Sequence, residues 1–75
     1  MRVALKTDYE KYTHDLSIAL KHDVNMIEII NNSYNKNKIL DIYGTQYKNG
    51  YPFFTVYIDN NWVTKSAKYF VSIKE

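Results

Sequence analysis

The sequence predicts an α+β fold in which one N-terminal helix packs on a small antiparallel β-sheet, or on a partly open barrel, of four to five strands. Two observations predict this class. Apolar residues recur at helical spacing between residues 8 and 21, whereas from residue 24 to residue 73 they alternate, or form short β-branched runs, between turn signals. Seventy-five residues without cysteine make a single domain, residues 1–75, and only packing holds its core together.

The N-terminal helix is predicted from a cap and a stripe. Large apolar residues occupy alternate positions over residues 1–6, but this run is too short to distinguish a strand from a mobile arm, and both interpretations remain. Thr7 and Glu10 fit a capping box, in which each side chain bonds to the backbone amide of the other residue. A helix over residues 8–21 follows, and Ile18 lies off its apolar stripe. The stripe consists of Tyr9, Tyr12, Leu16, Ala19 and Leu20.

The middle of the chain predicts two strands with a loop between them. Residues 24–30, VNMIEII, are apolar on both sides, which favours a central strand. Continuation of the helix is the alternative, but the β-branched residues and the following Asn-Asn-Ser favour the strand. Residues 31–38 are predicted as a long solvated loop. Residues 38–43 alternate again, with Leu40 and Ile42 inward, and Gly44 ends or bulges this strand.

A β-hairpin between Tyr51 and Thr64 is the strongest element of the sequence. Asn49-Gly50 predicts a tight turn that leads into it, and Asn60-Asn61 is predicted as its own two-residue turn, with Ile58 opposite Val63. One face of the hairpin then carries Phe54, Val56, Ile58 and Val63, and the other carries Phe53, Tyr57 and Trp62. Residues 65–70 predict a helical or 3₁₀ turn before a last strand at residues 71–73.

The order VNMIEII, long loop, TVYIDNNWVT, SAKYF and VSI over residues 24–73 resembles Src-homology-3-like small β-barrel proteins, including those of phage and prophage type. In that family a helical turn with a tyrosine, here Tyr69, precedes the last strand. The chain departs from the peptide-binding members, because it has no proline in this turn, no acidic cluster in the long loop and no tandem tryptophan. The resemblance implies a barrel and does not imply binding of proline-rich peptides.

Charge and composition bear on two questions: whether the partner is a nucleic acid, and where in the cell the protein is located. Ten basic residues against eight acidic ones give a net charge of +2, which is too mild to indicate nucleic-acid binding by itself. The N-terminus has no apolar run of the length that a signal peptide or a membrane span needs, so we expect a cytoplasmic protein without membrane contact. Frequent Asn, Lys, Ile and Tyr are associated with low-GC bacteria and their phages.

Catalysis, metal binding and cofactor binding are not expected. His14 and His22 are the only histidines, lie eight residues apart on the predicted helix, and have no cysteine to complete a metal site. With Gly44 and Gly50 as the only glycines, the chain has no glycine-rich phosphate loop. We therefore predict no catalytic residue, no metal ligand and no cofactor.

Aromatic and basic residues of the sheet are the candidate binding site. Rigid rings dominate protein interfaces, and aromatics with lysines also stack single-stranded bases. In the alternative interpretation the helix covers Phe53, Tyr57 and Trp62, and they become core. The predicted partner-binding residues are Tyr43, Tyr47, Lys48, Tyr51, Phe53, Tyr57, Trp62, Lys65 and Lys68.

These features lead to a ranked set of functional hypotheses. The first is a non-catalytic protein-interaction module, namely a phage or mobile-element inhibitor of a bacterial host or defence protein, of the anti-CRISPR kind. The alternative is a small nucleic-acid-binding β-barrel with a regulatory role. Pairing of open strand edges in a homodimer is a third possibility.

Overall fold

The computed structural model describes residues 1–74, apart from the side chains of Leu20 and His22. The chain forms two helices, α1 (Thr13–His22) and α2 (Val24–Asn31), and two 3₁₀ turns, Ser33–Asn35 and Ala67–Tyr69. Its strands are β1 (Arg2–Leu5), β2 (Leu40–Asp41), β3 (Gly44–Lys48), β4 (Tyr51–Ile58), β5 (Asn61–Ser66) and β6 (Phe70–Ser72). The α+β class is as predicted, whereas the single helix and the four to five strands are not.

The strands form two antiparallel sheets of three strands each, in the orders β2-β1-β6 and β3-β4-β5. The chain crosses between the sheets at two adjacent residues. The amide of Ile42 donates to the carbonyl of Met1 in the first sheet, and that of Tyr43 donates to the carbonyl of Thr55 in the second. The two sheets are not closed into a barrel. The antiparallel pairing is as predicted, but the strands form two sheets where one sheet or a partly open barrel was expected.

The N-terminal segment forms a central strand. Val3 of β1 lies opposite Leu40 on one side and opposite Ser72 on the other. The capping box at Thr7 is wrong: the Asp8 carboxylate instead accepts from the amides of Glu10 and Lys11. These bonds close a turn, and α1 begins only at Thr13.

The segment VNMIEII is a helix, so the predicted strand is wrong. The carboxylate of Asp23 accepts from the amide of Met26 at 3.1 Å and caps the N-terminus of α2. Met26, Ile29 and Ile30 are buried, at the i, i+3, i+4 spacing of one helix face. The cap separates α2 from α1, which makes two helices instead of one continuous helix.

The predicted solvated loop at residues 31–38 contains a buried side chain. Asn35 is fully buried, and its Nδ2 donates to the carbonyl of Ile29 at 2.8 Å and to the Asp59 carboxylate at 3.2 Å. Within the described residues, its Oδ1 has no hydrogen-bond partner. Asn35 therefore ties the end of α2 to the turn between β4 and β5.

Both hairpins of the second sheet form. Asn49 and Gly50 have positive φ values, 53° and 82°, as the predicted tight turn requires. The turn between β4 and β5 is Asp59-Asn60, with φ values of 54° and 63°, and not Asn60-Asn61. Val63 consequently lies opposite Val56 instead of Ile58. This register differs from the predicted one by two residues, so every side chain stays on its predicted face.

Both helices pack against the face of the second sheet that carries Val56 and Ile58. The core cluster combines residues of both sheets, both helices and the turn before β6: Val3, Leu5, Leu16, Ala19, Met26, Ile29, Ile30, Leu40, Val56, Ile58, Tyr69 and Phe70. The helix therefore does not cover Tyr57 and Trp62, which are exposed on the opposite face.

Candidate functional site

We call the side of the second sheet opposite to Val56 and Ile58 the open face. It carries the alternate side chains of β4 and those of the residues paired with them. By this register its members are Gln46 and Lys48 of β3, Tyr51, Phe53, Thr55 and Tyr57 of β4, and Trp62, Thr64 and Ser66 of β5. The alternation expected for a half-buried sheet thus leaves a row of aromatic residues away from the core.

Three aromatic rings meet at the end of the open face near the Asp59-Asn60 turn. The ring of Trp62 lies 5.0 Å from those of both Tyr43 and Tyr57, with interplanar angles of 84° and 66°. These edge-to-face contacts are favourable for aromatic pairs. The exposed fractions are 62% for Trp62, 63% for Tyr43 and 44% for Tyr57. We call these three residues the aromatic cluster.

Tyr43 reaches this cluster because β3 begins with a bulge. The amide of Tyr43 donates to the carbonyl of Thr55, and Gly44 pairs with the same residue. Two consecutive residues facing one is the arrangement of a β-bulge, which re-aims a side chain at a sheet edge. The bulge brings Tyr43 to the same side as Trp62. The strand predicted for residues 38–43 is limited to Leu40–Asp41, and Gly44 begins β3 instead of ending that strand.

The opposite end of the open face leads into a groove of about 350 Å³. Lys48 Nζ lies 4.8 Å from the ring centroid of Phe53, and Lys68 Nζ lies 5.3 Å from that of Tyr51. Both are cation–π contacts. Ile18 of α1 lines the groove beside these four residues. Phe53 is therefore half-buried, whereas Tyr51 stays exposed at the rim.

Two of the predicted site residues lie on the other side of the second sheet, and a third, Lys68, belongs to the 3₁₀ turn after β5. Tyr47 pairs with Pro52, so it lies on the opposite side of the sheet, at the exposed tip of the hairpin. Lys65 pairs with Phe54 on the core face, and its Nζ lies 2.7 Å from the Asp23 carboxylate. The expectation that Lys65 lies among the outward aromatics is wrong, because this ion pair joins its side chain, on the core face of β5, to Asp23 between α1 and α2.

The Asp23 carboxylate stays ionised despite its burial. Desolvation by burial raises its pKa. The hydrogen bonds from Lys65 and from the amide of Met26, together with the Lys65 charge, lower it by more, so the pKa lies below its usual value of 3.8. A stable negative charge at the N-terminus of α2 also interacts favourably with the helix dipole.

A second ion pair lies beside the groove. Lys6 Nζ is 2.7 Å from the Asp15 carboxylate, and this hydrogen bond is the main cause of the lowered pKa of Asp15. Burial raises the pKa of Tyr69, and the charges of Asp23 and Asp15 raise it further, so its hydroxyl remains a neutral donor. Asp15 and Tyr69 both line the groove.

The described residues contain neither a metal-binding cluster nor a helix that could span a membrane. The part of the chain that the structure describes holds no group of three or more His, Cys, Asp or Glu residues that could bind a metal ion. His14 is exposed on α1, and the side chain of His22 lies outside the described residues. Among the described residues, no helix has the length and apolarity that crossing a membrane requires.

No protein-family model matches the chain, and comparisons with curated proteins and with solved structures returned no match either. The resemblance to Src-homology-3-like proteins stays a prediction, although the helical conformation of residues 24–31 removes the strand on which it began.

Sequence reasoning missed the groove wall formed by Asp15, Ile18 and Tyr69. One signal was present: Ile18 lies off the apolar stripe of the helix, and its half-buried side chain lines the groove instead of the core. The other two residues carry no local signal, because their place depends on the packing of α1 against the turn before β6.

Proposed function

We propose that this protein is a non-catalytic protein-interaction module and that the open face is its binding surface. The aromatic cluster is the observation that carries this proposal. Three rings of about 200 Å² each, roughly half of it exposed, present on the order of 300 Å² of aromatic surface at one place. Exposed apolar patches of this kind mark interaction sites more often than isolated apolar residues do.

The geometry of the cluster suits a protein partner. Aromatic rings that already contact one another lose little conformational freedom on binding, and tryptophan and tyrosine are the typical residues of energetic hot spots. A standard interface buries about 800 Å² per partner, so the cluster would form its centre and the rest of the open face its surroundings.

The partner that we propose is a bacterial host or defence protein, and the proposed role is that of a phage or mobile-element inhibitor of the anti-CRISPR kind in the bacterial cytoplasm. The Asn-, Lys-, Ile- and Tyr-rich composition supports a low-GC bacterial setting. The open face supports an inhibitor that acts by occupying a surface of its target.

Nucleic-acid binding is the competing proposal, and Lys48 and Lys68 beside the rings favour it. Base stacking, however, needs free ring faces. Lysine ammonium groups lie over the rings of Phe53 and Tyr51, and Trp62 is flanked by two tyrosines. We therefore place the protein partner first.

Affinity capture separates the two proposals. Tagged protein is incubated with a nuclease-treated lysate of a low-GC bacterium, alongside the variants Trp62→Ala and Tyr34→Ala. Tyr34 is the control because it is an aromatic residue, 88% exposed, outside the sheet. We expect one stoichiometric protein with the wild type and with Tyr34→Ala, and its loss with Trp62→Ala. Recovery of nucleic acid alone from an untreated lysate would refute the protein-interaction proposal.

A further inference from the structure

The groove at the end of the open face has the features of a binding site for an acidic segment. Its volume, about 350 Å³, is at the lower end of the range for ligand pockets and fits one large apolar side chain with its neighbours. The apolar part of the lining comes from Ile18, Phe53 and the ring of Tyr51. The groove lies at the opposite end of the open face from the aromatic cluster, and its lining includes none of the cluster's residues.

The charges around the groove are unbalanced. Its one acidic lining residue, Asp15, is already paired with Lys6 at 2.7 Å. Lys48 and Lys68 line the same groove, and within the described residues neither forms a salt bridge. The charge of Lys68 acts on Asp15 from a distance and helps to lower its pKa, but among the described residues neither lysine is within ion-pair distance of a carboxylate.

The two lysines are also held in place. Each ammonium group lies over an aromatic ring, at 4.8 Å for Lys48 and 5.3 Å for Lys68, so part of the side-chain freedom is lost before binding. Tyr69 also lines the groove, as part of the core cluster beneath it. Ammonium donors beside an apolar lining are the complement of a carboxylate next to an apolar group.

We propose that the groove binds an acidic segment of a protein partner, in which an aromatic or large aliphatic side chain enters between Ile18 and Phe53 and flanking carboxylates pair with Lys48 and Lys68. This inference rests on the proposed function, since it names the chemistry of the partner at one end of the open face. The ligand groups are carboxylates beside an apolar side chain, which distinguishes this site from one that binds the phosphates of a nucleic-acid backbone.

The test uses synthetic probes and the isolated protein. An amide-resolved NMR titration is made with a short peptide that has a central phenylalanine flanked by aspartate and glutamate, with the same peptide carrying lysine at the acidic positions, and with a short oligothymidylate. We expect the acidic peptide to shift the amides of Lys48, Phe53 and Lys68, and the lysine peptide to leave them unchanged.

Variants show whether the lysines carry the interaction. Neutralising both groove lysines, with Lys48→Gln and Lys68→Gln together, should weaken the acidic peptide by about tenfold, as two exposed ion pairs would. The matched control is Lys38→Gln, an exposed lysine outside the groove, which should leave the affinity unchanged. The spectra themselves report whether each variant is folded.

Three results would overturn the inference: equal affinity of the double variant, shifts confined to residues outside the groove, or a response to oligothymidylate without a response to the acidic peptide. If the peptide titration fails but a protein is still captured in a way that depends on Trp62, only the groove proposal is refuted and the proposed function stands. Loss of capture with peptide binding intact would instead refute the role of the aromatic cluster.

Discussion

The ion pair between Asp23 and Lys65 gives the sharpest prediction, because it separates a lysine with a structural role from Lys48 and Lys68, which we propose to bind a partner. The two side chains are only 24% and 17% exposed, and their charged atoms are 2.7 Å apart. Replacing Lys65 by Met keeps the apolar stem and removes the charge, which leaves a partly buried carboxylate without its partner.

The expected cost follows from this burial. An exposed pair contributes about 0.2 to 1 kcal/mol, and a hydrogen bond to a charged group about 1.5 to 3 kcal/mol, so a partly buried pair should contribute about 1.5 kcal/mol. For a domain of this size, that corresponds to a fall in Tm of roughly 6 to 12 °C for Lys65→Met. Asp23→Asn isolates the charge, because asparagine is an equally good N-cap for α2.

A double-mutant cycle with Lys65→Met and Asp23→Asn, measured by urea unfolding, gives the coupling energy. We expect about 1.5 kcal/mol, with the control Lys38→Met within about 0.5 kcal/mol of the wild type. A coupling near zero would refute the structural role of the pair. Unchanged stability of Lys65→Met together with loss of the captured partner would place Lys65 in the interface instead.

Three further predictions concern stability. Asn35→Asp puts a carboxylate against the carbonyl of Ile29 and the carboxylate of Asp59, so urea unfolding should show a loss of about 2 to 4 kcal/mol; a loss below about 1 kcal/mol would contradict the buried hydrogen bonds. Because the pKa values of Asp15 and Asp23 are lowered by folding, stability is fully present above their usual value of 3.8 and is lost as the pH falls through the lower folded values. Thermal scans should thus show a constant contribution from about pH 6 to 5 and a decline below about pH 4, whereas a decline complete by about pH 5 would be inconsistent with these pairs. Trp62→Ala should cost less than about 1 kcal/mol, since only its contacts with neighbouring rings are lost; a cost of about 3 kcal/mol would mean that Trp62 belongs to the core.

Local signals account for the elements that the sequence predicts correctly. Asn49-Gly50 forms its turn because both residues tolerate positive φ, and the strict alternation from Phe53 to Ile58 produces β4 with the expected faces. The turn between β4 and β5 moved by one residue because Asp59, Asn60 and Asn61 are all compatible with the left-handed conformation. The faces survived, since the register shifted by an even number.

The wrong predictions have two causes: β-propensity that was weighted above local helix signals, and contacts between residues that are distant in sequence. Val24 to Ile30 has the β-branched composition of a strand, but the cap from Asp23 and the i, i+3, i+4 spacing of its buried residues stabilise a helix. Both signals are present in the sequence and were outweighed there by propensity. β1 could not be decided, because its partners, Leu40 and Phe70, lie far along the chain.

The candidate site was predictable in its residue types but not in its geometry. Alternation placed Phe53, Tyr57 and Trp62 on one face, yet whether the helices cover this face depends on packing that no local pattern specifies. Lys65 was included because its neighbours are surface residues, whereas its ion pair spans 42 residues of sequence. The alternation of residues along a strand predicts which face a side chain is on, but it does not predict which distant residue that side chain contacts.

Our central proposal is that the open face is accessible in the isolated protein and is covered by a protein partner in the complex. Trp62 is the only tryptophan in the chain, so biosynthetic labelling with 5-fluorotryptophan gives a single ¹⁹F resonance from the aromatic cluster. We predict that this resonance is strongly affected by a soluble paramagnetic agent in the free protein, and that it shifts and becomes protected in the complex with the captured protein. Protection in the free monomer, or an unchanged and still accessible resonance in the complex, would contradict the account.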